Sequence, residues 1–284
     1  MRMVKTLSKI FFPVLLLGLI CLTIGCNLSV DLLGLFGAND LSKRLAEKDN
    51  FPYLDRNTVS ERVLPLTLPF SFIVMTDTHV ENADATDLKK IEDKITEHGA
   101  KFVTILGDIT QNGADEDVKK VTEVFNSWTV PCYPVIGNHD VYFGNWPAWK
   151  EYIGSTRYRV DCESITLFIL DSANAFIGKE QMDWLEEGLK TAKGKVFVLT
   201  HSDFFVRDKI KIQQLYDPAE RARIMSMLRN SGKCDIVFTG HSHERVQKKF
   251  GGIEYISIED YKSTLTYCVV TVTGAGVTYE FKKL

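Results

Sequence analysis

Short apolar runs recur along the chain: Phe70-Ser71-Phe72-Ile73-Val74-Met75, Phe102-Val103-Thr104-Ile105-Leu106, Cys132-Tyr133-Pro134-Val135-Ile136, Val196-Phe197-Val198-Leu199 and Ile236-Val237-Phe238. Bounded runs of this length read as buried strands. Between them the pattern changes to a helical period. Residues 86–98 put Leu88, Ile91 and Ile95 on one face and stop at Gly99; 116–127 do the same with Val118, Val121, Val124 and Phe125. Further helices are expected over 146–152, 179–192 and 217–230, the last with Pro218 in its first turn. Residues 158–160 and 165–170 read as a hairpin. The end of the chain is all strands, 246–250, 253–258, 265–273 and 277–281, with Gly251-Gly252 at a hairpin turn. Strands alternating with helices, then consecutive strands, predict an α/β sandwich of two packed sheets with helices outside.

Residues 1–25 break this pattern. Arg2, Lys5 and Lys9 precede a stretch, 10–24, that is almost wholly apolar but holds Pro13 and Gly18. A basic start followed by a roughly 7–15-residue apolar region is a secretory signal, whereas a spanning helix needs about 20 apolar residues. Thr23-Ile24-Gly25-Cys26 is similar to a bacterial lipobox, although leucine is commoner where Thr23 stands. The expected organisation is a signal peptide over 1–25, a lipid-anchored linker with one short helix over 26–69, and a large α/β domain over 70–284. The protein would then be exported and held in the bacterial cell envelope through lipid on Cys26, facing the periplasm or the outside. An uncleaved anchor or a plain signal is the alternative.

Without Arg2, Lys5 and Lys9, 31 Lys+Arg face 37 Asp+Glu, a balance of −6. That acidity, with no basic stripe, argues against bulk nucleic acid as a partner. Cys132, Cys162, Cys234 and Cys268 show no C-x-x-C spacing, which excludes a zinc ribbon or thioredoxin motif. Cys132 and Cys268 lie in strand-like runs and read as buried thiols.

The apolar runs share one more property. They end in Thr76-Asp77-Thr78-His79, Gly107-Asp108, Gly137-Asn138-His139-Asp140, Thr200-His201 and Thr239-Gly240-His241-Ser242-His243; of the 6 histidines only His98 lies elsewhere. Gly137 is expected because the backbone must turn sharply there. In open α/β sheets, ligands collect beyond the strand C-termini, so these motifs can converge. Imidazole with carboxylate and amide oxygens suits first-row metals rather than a calcium cage. The set Asp77, His79, Asp108, Asn138, His201, His241 and His243 exceeds the roughly three or four protein ligands of one zinc. It fits two ions about 3.5–4 Å apart. The competing reading is core histidines and turn carboxylates.

The order D-x-H, G-D, G-N-H-D, lone His, G-H-x-H resembles the calcineurin-like metallophosphoesterase family, from Phe70 to the C-terminus. The resemblance implies a four-layer sandwich of two mixed β-sheets flanked by helices, with a dinuclear metal site at the strand C-termini. It implies that Asp77, His79, Asp108 and His243 hold one ion and Asp108, Asn138, His201 and His241 the other, Asp108 bridging. The ions would be divalent or trivalent iron, manganese or zinc. His139 would be the general acid, oriented by Asp140. The implied reaction is hydrolysis of a phosphodiester, or a related small organic phosphate ester, by a metal-bridging hydroxide.

Within the family, Gly107-Asp108-Ile109-Thr110-Gln111-Asn112-Gly113, Leu170-Asp171-Ser172, Gly178 and Gln181-Met182-Asp183-Trp184-Leu185 are similar to the branch of cyclic-nucleotide phosphodiesterases and purple-acid-phosphatase-like enzymes. Met182, Leu185 and Leu189 also read as a plain packing face covered by Trp184. Ser202-Asp203-Phe204-Phe205 after His201 departs from the His-Pro-rich stretch of the cyclic-nucleotide branch. Tyr142, Phe143, Trp146, Trp149, Phe204 and Phe205 would either wall a substrate pocket or pack in the core. The alternatives to diester hydrolysis are a phosphomonoesterase of acid-phosphatase or nucleotidase type, a silent binding scaffold of the same fold, and a metal-delivering lipoprotein.

Overall fold

The computed structural model describes residues 41–47, 52–53, 63–64, 66–205 and 214–284; the expected signal and Cys26 fall outside them. The strands are β1 Val63–Leu64, β2 Phe70–Met75, β3 Ala100–Leu106, β4 Cys132–Val135, β5 Tyr158–Cys162, β6 Ile165–Ile169, β7 Lys195–Leu199, β8 Cys234–Thr239, β9 Val246–Phe250, β10 Ile253–Ser257, β11 Thr266–Thr273 and β12 Gly276–Lys283. The helices are α1 Leu41–Ala46, α2 Thr86–Lys89, α3 Ile91–His98, α4 Asp115–Ser127, α5 Trp146–Tyr152, α6 Lys179–Thr191, α7 Pro218–Ser231 and α8 Tyr261–Thr264, with a 3-10 helix at His139–Gly144.

Among the described residues the strands form a 7-stranded sheet, β1-β5-β6-β7-β8-β10-β9, and a 5-stranded sheet, β12-β11-β2-β3-β4. Both are mixed. β2, β3 and β4 run parallel, as do β6, β7, β8 and β10, while β11, β12, β9 and the β5–β6 hairpin pair antiparallel. This is the expected architecture, two sheets flanked by helices.

Strand alternation divides the interior. Phe197 and Leu199 of β7 enter a core that also holds Phe72, Val74 and Phe102 of the smaller sheet. Val196 and Val198 point the other way, toward Met182, Leu185 and Leu189 of α6 and Ile224 and Leu228 of α7. Phe72 joins the sheets directly: its ring lies 6.1 Å from that of Phe197 and stacks on Phe102 at 4.4 Å. Each such burial stabilises by about 1.5–3 kcal/mol.

Local chemistry sets the helix ends. Asp217 caps α7 by accepting from the Ala219 amide at 2.8 Å, with Pro218 next, and Gly99 closes α3 at φ +56°. The helix expected over 86–98 is divided at Lys90. Cys132, Cys162, Cys234 and Cys268 are free and buried.

Three pieces of the stretch read as linker contact the sheets and their helices. Arg44 of α1 is buried against Asp171, the Tyr53 hydroxyl accepts from the Cys132 amide at 3.1 Å, and β1 extends the larger sheet beside β5. No helix of the described residues is long and apolar enough to cross a membrane.

Candidate metal centre

The parallel strands deliver their C-terminal loops to one place, and the loops keep pairing after the strands end. Asp77 N donates to Gly107 O at 3.0 Å and His79 N to Asp108 O at 3.0 Å. Each aspartate then spends one oxygen on the backbone of another motif: Asp108 Oδ1 accepts from His139 N at 2.8 Å, and Asp77 Oδ2 from His241 N at 3.0 Å. The other oxygens, Asp77 Oδ1 and Asp108 Oδ2, are buried without a hydrogen-bond partner.

Such close approach limits what fits between the loops. A Cβ on Gly137 would lie 2.2 Å from both the amide nitrogen and Oδ1 of Asp108. Gly137 is not among the residues of positive φ, so contact rather than a sharp turn demands glycine there. Asp77, His79, Asp108, His241 and His243 do have positive φ, between 43° and 66°. Side-chain-bearing residues avoid that region, and clusters of them mark sites where geometry is held against strain.

All the expected ligands converge. One potential ligand atom each from Asp77, His79 and His243 lie within 4.8 Å of one another, as do those from Asp108, His201 and His241. Asn138 Oδ1 is 2.9 Å from His201 Nε2, placing it with the second group. Asp108 faces both, since with His79 and His139 it forms a third such cluster.

These residues fit a pair of cations. His201 Nδ1 donates to Leu106 O at 2.8 Å, so in the neutral ring Nε2 is a lone pair. It faces Asn138 Oδ1, His241 Nδ1 at 3.1 Å and Asp108 Oδ1 at 3.3 Å. In the first group both ring nitrogens of His79, and Nε2 of His243, lack hydrogen bonds while buried. Unpaired carboxylate oxygens and ring lone pairs gathered this closely are groups that a bound cation would satisfy.

The titration behaviour has the same cause. Burial pushes His201 down, but Asp108 beside it and the more distant Asp77 carry it up to about 9. His243 is likewise raised to about 9, burial being outweighed by Asp77 at 3.2 Å. His241 is driven down to about 3 by burial and by the charge on His201. Burial raises Asp108, yet His201 and His139 hold it well below the usual carboxylate range.

Asp140 works differently from the expectation. Its carboxylate accepts from Gly137 N at 2.9 Å, Thr110 N at 2.8 Å, Thr110 Oγ1 at 2.9 Å and Ile109 N at 3.3 Å, and makes no hydrogen bond to the His139 ring. It ties the Asp108 loop to the Asn138 loop. The His139 ring is held instead by Gln111 O, which accepts from Nδ1 at 2.7 Å, leaving Nε2 toward the site, 3.9 Å from Asp108 Oδ2. Asp140 is fully buried and raised to about 6, by burial first and by Asp108 second.

Other supports lie outside the ligand motifs, and Ser172 belongs to the Leu170-Asp171-Ser172 stretch singled out in the sequence. The Ser172 hydroxyl accepts from the amides of His201 and Ser202 at 3.2 and 2.8 Å. Helix α8 donates its Tyr261 and Lys262 amides to Thr76 O and Asp77 O at 3.0 and 3.1 Å. Of the aromatic residues, Trp149 is fully buried and Phe204 packs on Tyr255, so neither walls a pocket. Met182, Leu185 and Leu189 pack against the sheet, with the Trp184 ring edge-on to Phe168 at 5.5 Å.

The family model described as Calcineurin-like phosphoesterase matches residues 70–245, more than half of the chain. The chain belongs to this family. The family generally binds a dinuclear metal centre. Among curated proteins it is 23% identical to a probable cyclic nucleotide phosphodiesterase of Fibrobacter succinogenes, over 51% of this chain and 58% of that protein. The match therefore spans little more than half of that relative's length. Among solved structures, a dimetal phosphatase from Danio rerio superposes with a TM-score of 0.64 at 12% identity, over 75% of this chain and 96% of that one. A purple acid phosphatase from yellow lupin gives 0.61 at 13%, over 78% and 52%. At these identities the likeness is one of fold.

Proposed function

We propose that the protein hydrolyses a phosphodiester, with Asp77, His79, Asp108 and His243 holding one metal ion, Asp108, Asn138, His201 and His241 a second, and His139 as general acid. The observation that carries the reading is the convergence of these side chains into two ligand groups, Asp77–His79–His243 and Asp108–His201–His241, joined by a third cluster in which Asp108 meets His79 and His139. Iron, manganese or zinc bound there would draw in the phosphate, offset charge developing on its oxygens and activate a water for attack.

The chain's own residues do the rest. Asp77 and Asp108 lower the net charge of the centre without cancelling it, which leaves it attractive to an anion. The bond from Nδ1 to Gln111 O fixes the His139 ring, so a proton on Nε2 can pass to the departing oxygen. Asp140 keeps the loops carrying Asp108 and His139 in register.

The diester preference rests on charge. A diester carries one negative charge and needs no guanidinium clamp, whereas a monoester dianion gains from one. Arg245, the described arginine nearest in sequence to the ligands, is committed to Glu259 at 2.5 Å and to the face of Phe281 at 4.2 Å. The similarity to a probable cyclic nucleotide phosphodiesterase of Fibrobacter points the same way. Envelope anchoring through Cys26 belongs to the same proposal.

The test is metal-loaded protein on bis-nitrophenyl phosphate and nitrophenyl phosphate. The diester should be hydrolysed with a kcat/KM no worse than the monoester. A monoester preference above about a hundredfold, roughly 2.7 kcal/mol of transition-state binding, would instead mark a phosphomonoesterase. Metal uptake without hydrolysis of either ester would mark a binding scaffold or a metal carrier.

A further inference from the structure

Tyr142 touches two residues of the centre at once. Its hydroxyl accepts from Asn138 Nδ2 at 3.0 Å, and its ring lies 4.2 Å from the His139 ring at a tilt of 34°. The 3-10 helix His139–Gly144, with Asn138 at its N-cap, supplies the geometry: one tight turn brings the phenol back over the amide and imidazole that precede it.

The contact decides which end of Asn138 faces the ligand group. A side-chain amide has an acceptor end and a donor end. With Nδ2 taken by the Tyr142 hydroxyl, Oδ1 is turned to His201 Nε2 at 2.9 Å, within the Asp108–His201–His241 group. The opposite orientation would send an N–H into a cluster of acceptors where a cation has to sit. The ring acts on the neighbouring residue. Among the described residues the His139 ring is hydrogen-bonded only through Nδ1, to Gln111 O, and the Tyr142 face restrains rotation about that bond.

We propose that Tyr142 is a positioning residue that holds the Asn138 oxygen in the second ligand group through its hydroxyl and sets the plane of His139 through its ring. The inference rests on the dinuclear reading of the site. It separates two jobs within one side chain: phenylalanine keeps the ring and loses the hydroxyl, and leucine loses both. Partners that orient metal ligands are typically worth about 10–100-fold in metal affinity.

The experiment titrates the metal-stripped full chain with Mn2+ alone by calorimetry, for wild type, Tyr142→Phe and Tyr142→Leu. Thermal midpoints are recorded beside it, and kcat and KM on bis-nitrophenyl phosphate at saturating Mn2+. Wild type should bind two equivalents. Tyr142→Phe should keep one equivalent at wild-type affinity, weaken the other about 10–100-fold, and retain kcat once metal saturates. Tyr142→Leu should show the same selective metal defect and also lose kcat with little change in KM. Wild-type affinity for both equivalents in Tyr142→Phe overturns the inference. So does equal weakening of both equivalents in step with a lowered thermal midpoint, which would mark a merely structural residue. If wild type itself takes up no second equivalent, the dinuclear reading fails and this inference falls with it.

Discussion

Arg44 and Asp171, 127 positions apart in the chain, meet as a buried two-pronged ion pair, Nε to Oδ2 at 2.8 Å and Nη2 to Oδ1 at 3.0 Å. Arg44 also reaches Asn174 Oδ1 at 2.6 Å. Asp171 is followed by Ser172, whose hydroxyl carries the amides of His201 and Ser202. A residue that precedes the family match is therefore two steps from a candidate metal ligand.

Arg44→Met should destabilise the protein by about 3–5 kcal/mol, because it leaves the Asp171 carboxylate buried and uncompensated. Urea unfolding monitored by circular dichroism checks this, and a chain starting at residue 70 should suffer at least as much. A loss below about 1 kcal/mol, the worth of a surface pair, would mean that water reaches the site.

His139→Ala should cut turnover by about 10²–10⁴-fold, the usual range for a general acid. Bound metal should stay near its wild-type amount, since the residue is assigned to a proton rather than to an ion. Metal analysis beside kinetics separates these effects, and loss of both ions would refute the assignment.

Asp108→Asn should lower metal content and activity together. Its carboxylate faces both ligand groups, and an amide cannot neutralise two ions. A fully metallated, active variant would show that Asp108 does not bridge.

Metal uptake should release protons. His201 and His243, both raised to about 9, hold protons in the free protein where ions are expected to bind. Affinity should therefore climb with pH toward about 9, approaching a slope of about two in log K against pH, and then level off. The same shifts bear on the metal-free fold. The folded pKa exceeds the ordinary 6.5, so the stabilisation is complete below that value and fades as pH rises through about 9. Calorimetry in buffers of different ionisation enthalpy counts the protons; none released at pH 7 would mean neutral imidazoles.

Cys26→Ser should free the protein from the membrane fraction or leave an unprocessed precursor, because stable anchoring depends on attached acyl chains. Fractionation with an N-terminal mass checks both. A normally cleaved variant that stays on the membrane would contradict the lipobox reading.

Much of the centre was legible because residue type and strand position were enough. Asp77, His79, Asp108, Asn138, His201, His241 and His243 each follow an apolar run, and parallel strands bring such ends together. The supports were not legible. Gln111 acts through its carbonyl, which every residue carries. Asp140 follows His139 directly, yet its carboxylate bonds backward to a different loop. Arg44 sits in a short polar helix, and nothing local names a partner so far along the chain. Trp149 and Tyr142 lie within one aromatic cluster, and only the packing of α5 tells the core residue from the one beside His139. Helix α8 is too short for any period to announce it.

The left-handed backbone at Asp77, His79, Asp108, His241 and His243 bears on how this protein can drift. Strain of about 1–3 kcal/mol at each adds up to the order of a whole domain's net stability, about 5–15 kcal/mol. Glycine would relax any of these positions but bring no ligand. A descendant released from metal chemistry would gain robustness from each such exchange, and glycines should accumulate at these positions first. Five aspartates and histidines held in this strained region at one place fit a site kept for chemistry rather than for stability.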